Sequence, residues 1–457
     1  MNQPQHVHFV GIGGYGMSAI ARVMLDLGYQ VSGSDVTRQE AVDRLQLLGA
    51  TIYIGHDRSN ITGADCVVYS TAVKPDNPEL LAAAEASIPV LHRSQMLAKL
   101  MGERTGIAVS GAHGKTTTTS MISYILQEAN LQPTYIIGGV LTNVGDNARA
   151  GSGPFLVAEA DESDGSFIHY RPHYAVVTNI EADHLENYDG DFEKLKQAYR
   201  RFFSNLDVDG AIVACWDDPV VRELLTDAKR NVLTYGLYAE TEMTADQIAL
   251  LQRGSRFTVI RKGQPLGTVE LVIPGIHNVY NALAATLVCL EAGVSFADIA
   301  AALKKFTGAK RRFQVHCDTP QLLVVDDYAH HPTEIRATIA AAKASGRRVV
   351  AVFQPQRYSR TFYFFEEFSR AFAEADEVVL TDIYSPAGEA RIEGISSEKL
   401  AALIAQNSRI PTRFLATKEE VLGYLLHHKQ AGDLILTMGA GDIYKVAEQL
   451  VQALAAS

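Results

Sequence analysis

The chain has 457 residues, which is too long for a single core, and with 47% hydrophobic and 20% charged residues its composition is typical of a soluble globular protein. The net charge of −11, without a Lys- and Arg-rich run interleaved with aromatic residues, argues against a nucleic-acid partner. No apolar run reaches membrane-spanning length and the four cysteines are scattered, so we expect a cytoplasmic protein with reduced thiols and no membrane partner.

The first hundred residues alternate strand and helix patterns, which predicts a Rossmann-type parallel sheet. Residues 7–10 are a predicted strand close to the start, and we expect no signal peptide. Gly11, Gly13 and Gly16 then match G-x-G-x-x-G at a helix start, and Asp35 lies near the spacing of a ribose contact. The motif indicates a bound diphosphate. It fits a nicotinamide dinucleotide and a nucleotide sugar equally well, and the glycines could also serve only a tight turn.

A second glycine-rich loop follows the apolar run 106–109, which predicts a buried strand. The residues 110–116 read Ser-Gly-Ala-His-Gly-Lys-Thr and lead into a helical pattern. Backbone N–H groups at such a helix start bind phosphates, Lys115 would reach the outer phosphates, and Thr116 could ligate magnesium. The loop is a shortened variant of the Walker pattern, because Val109 stands where that pattern has glycine. A simple glycine turn would not explain the lysine.

Acidic residues follow the next two predicted strands. EADESD at 159–164 comes after the strand 155–158, and NIEADH at 179–184 comes after the strand 174–178. Because ligands bind at the carboxyl ends of strands in an α/β sheet, both clusters should lie beside Lys115. Carboxylates and an imidazole near a triphosphate suit Mg²⁺, although any one of them could be a solvated surface group. Asn281, one turn into a later helix, is placed where its amide could contact an adenine, while His277 and Asn278 could cap that helix.

The third region begins around residue 311 and repeats the α/β pattern. A buried strand at 322–325 precedes DDYAHHPTE at 326–334, and further strands are predicted at 348–353, 377–380 and 433–437. The loops 354–361 (QPQRYSRT) and 439–441 each follow a strand, so they should share one sheet edge. Arginines there suit a carboxylate or phosphate, because the guanidinium fork binds planar anions through two hydrogen bonds; a solvated basic turn is the alternative.

Together these patterns resemble the Mur ligases, ATP-dependent amide-forming enzymes of peptidoglycan precursor synthesis. The resemblance covers nearly the whole chain and rests on the runs at 11–18, 111–118, 159–164, 183–184, 275–278, 326–334 and 353–361. Within the family the chain looks most like members that join L-alanine to UDP-N-acetylmuramate. The related murein-tripeptide recycling ligases typically have Tyr where Ser163 stands. The chain departs from the family pattern at Ala112, usually Thr, and at Gln356, usually His.

The resemblance implies a three-domain α/β fold. A UDP-sugar-binding Rossmann-like domain would span residues 1–103, a central P-loop ATPase-type domain would bind ATP and Mg²⁺ at 104–310, and a C-terminal Rossmann-like domain would bind the amino acid at 311–457. The small-molecule partners would be UDP-N-acetylmuramate and L-alanine, and the protein would be a monomer or homodimer. The lactyl carboxylate would attack the γ-phosphate to give an acyl phosphate, which the amine of alanine then attacks.

The resemblance also assigns residues to each ligand. The implied UDP-sugar-binding residues are Gly11, Gly13, Gly14, Gly16, Met17, Ser34, Asp35, Ser70 and Thr71. The implied ATP-binding residues are Gly111, Ala112, His113, Gly114, Lys115, Thr116, Thr117, Asn281, Arg312 and Asp326. Thr116, Glu159 and His184 would bind the metal, and Tyr328, His330, Arg357 and Arg360 would bind the amino acid. The implied catalytic residues are Lys115, Glu159, His184 and His330.

Two hypotheses from other classes remain open at this point. A nicotinamide-dependent oxidoreductase would use the first glycine motif, but it would leave the second phosphate loop and the acidic clusters without a function. A non-catalytic nucleotide-binding regulator would retain the loop and would not require the acidic and imidazole groups. Dependence of ATP hydrolysis on a UDP-sugar and an amino acid together would separate both from a ligase.

Overall fold

The computed structural model describes residues 5–385 and 389–455. Its strands form three sheets flanked by helices, which confirms the predicted three-domain α/β fold with parallel sheets. By packing, the chain divides into two compact units. One contains the chain up to Asp246 with Thr258–Gly267 and Tyr280–Leu303; the other contains Gln247–Phe257, Thr268–Val279 and the chain from Lys304 onward. The domain boundaries near residues 103 and 310 stay predictions.

The first sheet has five parallel strands in the order β3-β2-β1-β4-β5. The order reverses beside β1, and in such sheets ligands bind at the carboxyl ends of the strands at this point. The first glycine loop follows β1 directly, so the fold places it there. The strands are β1 (His6–Val10), β2 (Gln30–Asp35), β3 (Thr51–Ile54), β4 (Cys66–Tyr69) and β5 (Val90–His92), and the helices are α1 (Tyr15–Asp26), α2 (Glu40–Leu47), α3 (Pro78–Glu85) and α4 (Arg93–Gly102).

The second sheet has ten strands in the order β15-β14-β13-β12-β11-β10-β6-β9-β7-β8. β6 pairs in parallel with β9 on one side and β10 on the other, so the loops after these three strands lie side by side. The strands are β6 (Thr105–Ser110), β7 (Thr134–Leu141), β8 (Asp146–Arg149), β9 (Phe155–Glu159), β10 (Tyr174–Val177), β11 (Ala211–Cys215), β12 (Asn231–Tyr235), β13 (Met243–Leu250), β14 (Ser255–Arg261) and β15 (Gln264–Leu271). The helices are α5 (Lys115–Glu128), α6 (Phe192–Ser204), α7 (Pro219–Leu225), α8 (Ile276–Glu291) and α9 (Phe296–Lys305).

The third sheet has six strands in the order β16-β17-β21-β18-β19-β20, with only β16 antiparallel to its neighbour among the described strands. Its central strands are buried on both faces, as their continuous apolar runs predict. The strands are β16 (Gln314–Asp318), β17 (Leu322–Asp327), β18 (Arg348–Phe353), β19 (Glu377–Leu380), β20 (Thr412–Phe414) and β21 (Asp433–Met438). The helices are α10 (Pro332–Lys343), α11 (Tyr358–Tyr363), α12 (Phe365–Arg370), α13 (Ser397–Ser408), α14 (Lys418–His428) and α15 (Tyr444–Ala455).

Two further expectations can be compared with the structure. All four cysteines have free thiols, and Cys215 and Cys289 are buried, as their scattered spacing predicts. Across residues 5–385 and 389–455, no helix combines the length and apolar character that crossing a membrane requires.

Candidate active site

The second glycine loop connects β6 to α5 and is held by the end of the neighbouring strand β10. Asn179 accepts a hydrogen bond from the His113 backbone N–H at 2.8 Å and donates to the His113 carbonyl at 3.0 Å. Gly111 and Gly114 both have positive φ, and a Cβ on Gly111 would collide with the Thr178 hydroxyl. The shortened loop is therefore shaped by the two side chains that directly follow β10, and its glycines are required for the close approach.

Lys115 begins α5 and lies among acceptors at the mouth of this loop. Its ammonium donates to the Gly111 carbonyl at 2.5 Å and to both carboxylate oxygens of Glu162 at 2.9 and 3.0 Å. Asp161 lies 3.9 Å away. Burial alone would lower the pKa of Lys115, but the carboxylates of Glu162 and Asp161 outweigh it and raise that pKa well above its usual value. Lys115 is thus a permanent cation in the phosphate loop.

Glu159 ends β9 beside Lys115 and is oriented by a residue from the adjacent strand β7. One of its oxygens accepts a hydrogen bond from the Gly138 backbone N–H at 2.5 Å, and the Thr116 hydroxyl also contacts the carboxylate. A Cβ on Gly138 would lie 2.5 Å from a Glu159 oxygen, so a larger residue there would displace the carboxylate. Burial raises the pKa of Glu159, while the Gly138 N–H and Lys115 oppose that shift. Two of the three predicted metal ligands therefore lie in contact.

His184, the third predicted metal ligand, lies in the segment that follows β10. It has φ of +56° at the start of a short 3-10 helix, Leu185–Tyr188, and its ring lies 3.5 Å from Asp183. This segment is attached to the acidic segment after β9, because the Tyr188 hydroxyl donates to the Glu162 carbonyl at 2.5 Å. The two acidic clusters therefore lie together at one edge. Hydroxyl and carboxylate oxygens with one imidazole fit a magnesium ion, and this ligand set stays a prediction.

Ala112, Thr117 and Asn281 complete the part of the predicted nucleotide site that lies in the first unit. Thr117 is buried in the first turn of α5, and Ala112 donates its backbone N–H to the Asn179 carbonyl at 3.2 Å. Asn281 lies on α8 and accepts a hydrogen bond from the Thr118 hydroxyl at 3.2 Å. A Cβ on Gly114 would lie 2.6 Å from the same Asn281 oxygen. Asn281 therefore packs against the phosphate loop, and its predicted adenine contact stays a prediction.

The first glycine loop is braced by the end of β2. The Gly11 N–H donates to the Ser34 carbonyl at 2.8 Å, and the Gly13 N–H donates to the Asp35 carboxylate at 2.9 Å. The Asp35 side chain is buried, with 6% exposed, and its carboxylate holds the loop backbone. It also lies at the end of β2, where the sequence predicts a ribose contact. Gly14, Gly16 and Met17 follow at the start of α1; Gly14 is exposed and Met17 is buried.

The remaining predicted UDP-sugar residues lie in different surroundings. Ser34 is fully buried, and its hydroxyl donates to Glu79 at 2.6 Å and contacts the His56 ring at 2.9 Å. Ser70 and Thr71 follow β4. The Thr71 hydroxyl donates to the Asp164 carboxylate at 3.2 Å, and the Arg93 guanidinium donates to the same oxygen at 2.7 Å. Glu79 and Arg93 are not among the residues predicted from the sequence.

In the second unit, Asp326 is fully buried at the end of β17. It accepts hydrogen bonds from the Arg311 guanidinium at 3.0 Å and the Thr437 hydroxyl at 2.8 Å. Arg312, which the sequence singled out, instead lies over the Tyr328 ring at 5.2 Å and 3.9 Å from Glu334. Arg311 is therefore the direct partner of Asp326, although both arginines lie over the Tyr328 ring.

The four predicted amino-acid-binding residues lie on two loops at the carboxyl edge of the third sheet. His330 lies 3.3 Å from Glu334, and its Nδ1 lies 2.9 Å from the Tyr328 carbonyl. Because a carbonyl only accepts, Nδ1 carries the hydrogen and Nε2 is the basic nitrogen. Arg360 is 8% exposed and contacts the Gln356 amide oxygen at 3.3 Å. Arg357 is exposed, at the start of α11, with φ of +66°.

Models of the Mur ligase family match three successive parts of this chain. The family's catalytic domain matches residues 6–105, its middle domain matches residues 109–289, and its glutamate ligase domain matches residues 311–441. Together the three matches cover most of the chain and the glycine loops described above.

Individual relatives are similar over their full lengths. The UDP-N-acetylmuramate–L-alanine ligase of Geotalea daltonii is 49% identical over 98% of both chains, and that of Symbiobacterium thermophilum is 48% identical over 99% of this chain and 95% of its own. Among solved structures, the UDP-N-acetylmuramate–alanine ligase of Thermotoga maritima has a TM-score of 0.82 at 29% identity, covering 99% of both chains. A murein peptide ligase from Psychrobacter arcticus has a TM-score of 0.70 at 26% identity, covering 98% of both chains.

Proposed function

This chain belongs to the Mur ligase family, and from that premise we propose that it catalyses the ATP-dependent ligation of L-alanine to the lactyl carboxylate of UDP-N-acetylmuramate, a step of peptidoglycan precursor synthesis. Relatives whose names state this activity are 47–49% identical to the chain over 97–99% of its length. Family membership disfavours the oxidoreductase and the non-catalytic regulator. We propose that the protein acts in the cytoplasm, because the reaction requires ATP and because the four cysteines have free thiols, as in a reducing compartment.

The observation that supports this chemistry is a group of three side chains: Lys115 and Thr116 at the start of α5, and Glu159 at the end of β9. A cation, a hydroxyl and a carboxylate here surround the position where a helix N-terminus and loop amides bind phosphate. Thr116, Glu159 and His184 would hold magnesium, which when bound neutralises phosphate charge. Phosphoryl transfer requires mainly positioning and charge stabilisation, and this group is suited to both.

The first step forms an acyl phosphate. A lactyl carboxylate oxygen attacks the γ-phosphorus of ATP, the bond from that phosphorus to the β–γ bridging oxygen breaks, and ADP leaves. Lys115 stabilises the transferring group, and to do so its ammonium must exchange contacts with Glu162 for contacts with phosphate oxygens. The sugar nucleotide would be held by the first glycine loop, so that its carboxylate can be positioned separately from its diphosphate.

The second step forms the amide. The neutral amine of alanine attacks the acyl carbon, and inorganic phosphate leaves as the C–O bond breaks. We assign the carboxylate of alanine to Arg360 and Arg357, because guanidinium forks match a planar anion. His330 Nε2 is the basic nitrogen that the Tyr328 carbonyl and Glu334 orient, and it would accept the ammonium proton.

The second candidate is ligation of a peptide in place of alanine, because a murein peptide ligase shares the fold over nearly the full chain. The curated relatives and the higher TM-score favour alanine. Phosphate release should be measured with ATP, magnesium and UDP-N-acetylmuramate, adding alanine, serine, glycine or L-alanyl-γ-D-glutamyl-meso-diaminopimelate in turn. We expect the highest kcat/KM with alanine. Preference for the tripeptide would move the chain to the second candidate, and phosphate release independent of any amino acid would refute ligation.

A further inference from the structure

The carboxylate of Glu389 lies at the start of α11, the six-residue helix of the predicted amino-acid site. Its Oε1 accepts hydrogen bonds from the Ser359 backbone N–H at 3.2 Å and from the Ser359 hydroxyl at 2.8 Å. Its Oε2 accepts from the Tyr358 N–H at 3.1 Å and from the Ser385 hydroxyl at 2.8 Å. Four donors therefore converge on one carboxylate, and two of them are the first backbone N–H groups of α11.

The cap of α11 differs from those of other helices around the third sheet, because it comes from a distant part of the chain. α10, α13 and α14 are each capped by the side chain of the residue directly before them. Arg357 is the residue directly before α11, and its side chain makes no such capping hydrogen bond. Glu389 takes that place from 31 residues beyond Tyr358. A remote cap fixes where the helix lies, as well as satisfying its N–H groups.

The backbone at this helix start is strained at Arg357. Its φ is +66°, a conformation that residues other than glycine rarely adopt and that persists only where surrounding contacts enforce it. The Arg357 N–H donates to the Tyr384 carbonyl at 2.9 Å, directly before Ser385 in the chain. The Tyr384 N–H in turn donates to the Pro355 carbonyl at 2.8 Å. The placement of Arg357 therefore depends on this segment as well as on Glu389.

Arg360 depends on the same helix start. It is buried, and its guanidinium contacts the amide oxygen of Gln356, which pairs with Tyr384 in an isolated β-bridge. A helix of six residues is too short to hold its own conformation without outside contacts. A change at Glu389 is therefore expected to move both guanidinium groups, those of Arg357 and Arg360.

The hydrogen bonds also keep Glu389 ionised. Burial raises the pKa of Glu389, but the hydrogen bonds from Ser359, Ser385 and Tyr358 outweigh burial and hold that pKa below its usual range. At neutral pH the group is therefore a carboxylate that accepts hydrogen bonds and donates none, as four converging donors require.

We propose that Glu389 is a positioning residue for the amino-acid substrate, because it fixes the start of α11 and with it the guanidinium groups of Arg357 and Arg360. This inference rests on the proposed function, in which these two arginines bind the carboxylate of alanine. Glu389 acts through the arginines, so it has no part in either chemical step. Its loss weakens alanine binding and leaves the phosphate loop, which lies in the other unit, unchanged.

Steady-state phosphate release by the full-length protein, with alanine, ATP and UDP-N-acetylmuramate varied in turn, tests this role. We expect Glu389→Ala to raise KM for alanine about 10–100-fold, because displaced guanidinium groups bind a carboxylate poorly. The kcat and the other two KM values should stay within about twofold of the parent, since only alanine binding is lost. Glu389→Gln keeps one acceptor oxygen and should fall between Glu389→Ala and the parent.

Glu420→Ala is the matched control. Glu420 belongs to the capping box of α14 and accepts a hydrogen bond from the Thr417 N–H at 3.1 Å. Its loss removes a capping carboxylate from a different helix, so KM for alanine should stay within about twofold of the parent. A rise in this variant equal to that in Glu389→Ala would overturn the proposal, because the effect would then belong to helix capping in general.

The double variant Glu389→Ala with Arg360→Lys tests whether Glu389 acts through Arg360. KM for alanine should rise by less than the product of the two single effects, and effects that multiply would overturn the proposal. So would a folded Glu389→Ala with unchanged KM for alanine, equal rises in all three KM values, or loss of folding in both Glu389 variants. If only Glu389→Ala fails to fold, KM of Glu389→Gln decides. Ligation of alanine by the parent protein tests the proposed function separately, because the role of Glu389 is measured only as a difference from the parent.

Discussion

Replacement of Lys115 by alanine should impair both catalysis and folding, for separable reasons. The loss of one preorganised charge at a transferring phosphoryl group costs about 3–4 kcal/mol in the transition state, or about 10²–10³ in kcat. The same change leaves Glu162, 3% exposed and 2.9 Å from the lysine, without its ion-pair partner. Breaking a buried pair costs about 3–5 kcal/mol. Because Lys115 is 13% exposed, we expect the lower end, about 3 kcal/mol.

The pH dependence of stability identifies the source of that loss. Burial raises the pKa of Glu162, and Lys115 opposes this shift. In Lys115→Ala the opposing charge is absent, so the carboxyl group takes up a proton more readily in the folded state than in the unfolded one. The contribution of Glu162 to the stability of the variant should therefore be most favourable below the ordinary glutamate pKa, about 4.3, and should be lost as pH rises through the raised pKa of the folded state.

Chemical unfolding midpoints and steady-state phosphate release should be measured for Lys115→Ala and for Lys115→Ala combined with Glu162→Gln. The amide removes the unpaired charge, so the double variant should recover most of the stability and none of the turnover. Turnover close to the parent in either variant would refute the phosphate-site assignment. A double variant as unstable as the single one would refute the ion-pair explanation.

Three further predictions follow from contacts on other elements. Gly138→Ala should raise the magnesium concentration needed for half-maximal turnover, as Glu159→Gln should, because the added Cβ displaces the Glu159 carboxylate. Gly102→Ala is the control, because Gly102 has open space around it. Equal magnesium titrations for the two alanine variants would contradict the role of Gly138. Arg360→Lys should raise KM for alanine about 10–100-fold with little change in KM for UDP-N-acetylmuramate. Steady-state kinetics with each substrate varied in turn would measure this, and an unchanged KM for alanine would place the alanine pocket elsewhere. Burial and the Arg312 charge lower the pKa of His277 to about 4, so the chain should lose up to about 1.4 kcal/mol of stability per pH unit as pH falls from about 6.5 to about 4. His277→Gln should lack this loss of stability when its unfolding free energy is measured as a function of pH. The same pH dependence in the variant and the parent would show that other groups cause the loss.

The parts of the site that follow strand ends could be predicted from the sequence. An apolar run, a glycine loop and a helix are local patterns, and parallel strands bring their carboxyl ends to one edge. This is why EADESD and NIEADH, which are separated along the chain, are found attached to each other through Tyr188 and Glu162. Arg93 also follows a strand directly, since β5 ends at His92. A single arginine after a short strand is not a recognisable sequence motif, so it was not predicted.

Other parts depend on contacts that no local pattern encodes. Gly138 lies within a strand, and its role is visible only once β7 is placed beside β9. Arg311 and Arg312 are adjacent and chemically identical, so only the fold determines which one reaches Asp326. The hairpin of β7 and β8 was not predicted either, because its polar second strand lacks the alternation that marks a half-buried strand.

The placement of β6 between β9 and β10 has a consequence during synthesis. The chain emerges from the ribosome from its N-terminus, and β6 with its glycine loop is made long before Thr178 and Asn179, which shape that loop. Pairing of distant parallel strands is slow, because the intervening chain must be ordered first. A nascent chain that ends before β10 therefore carries Lys115 without the side chains that hold its loop. We expect such truncated chains to lack nucleotide affinity and to expose the apolar faces of β6 to chaperones until β10 is added.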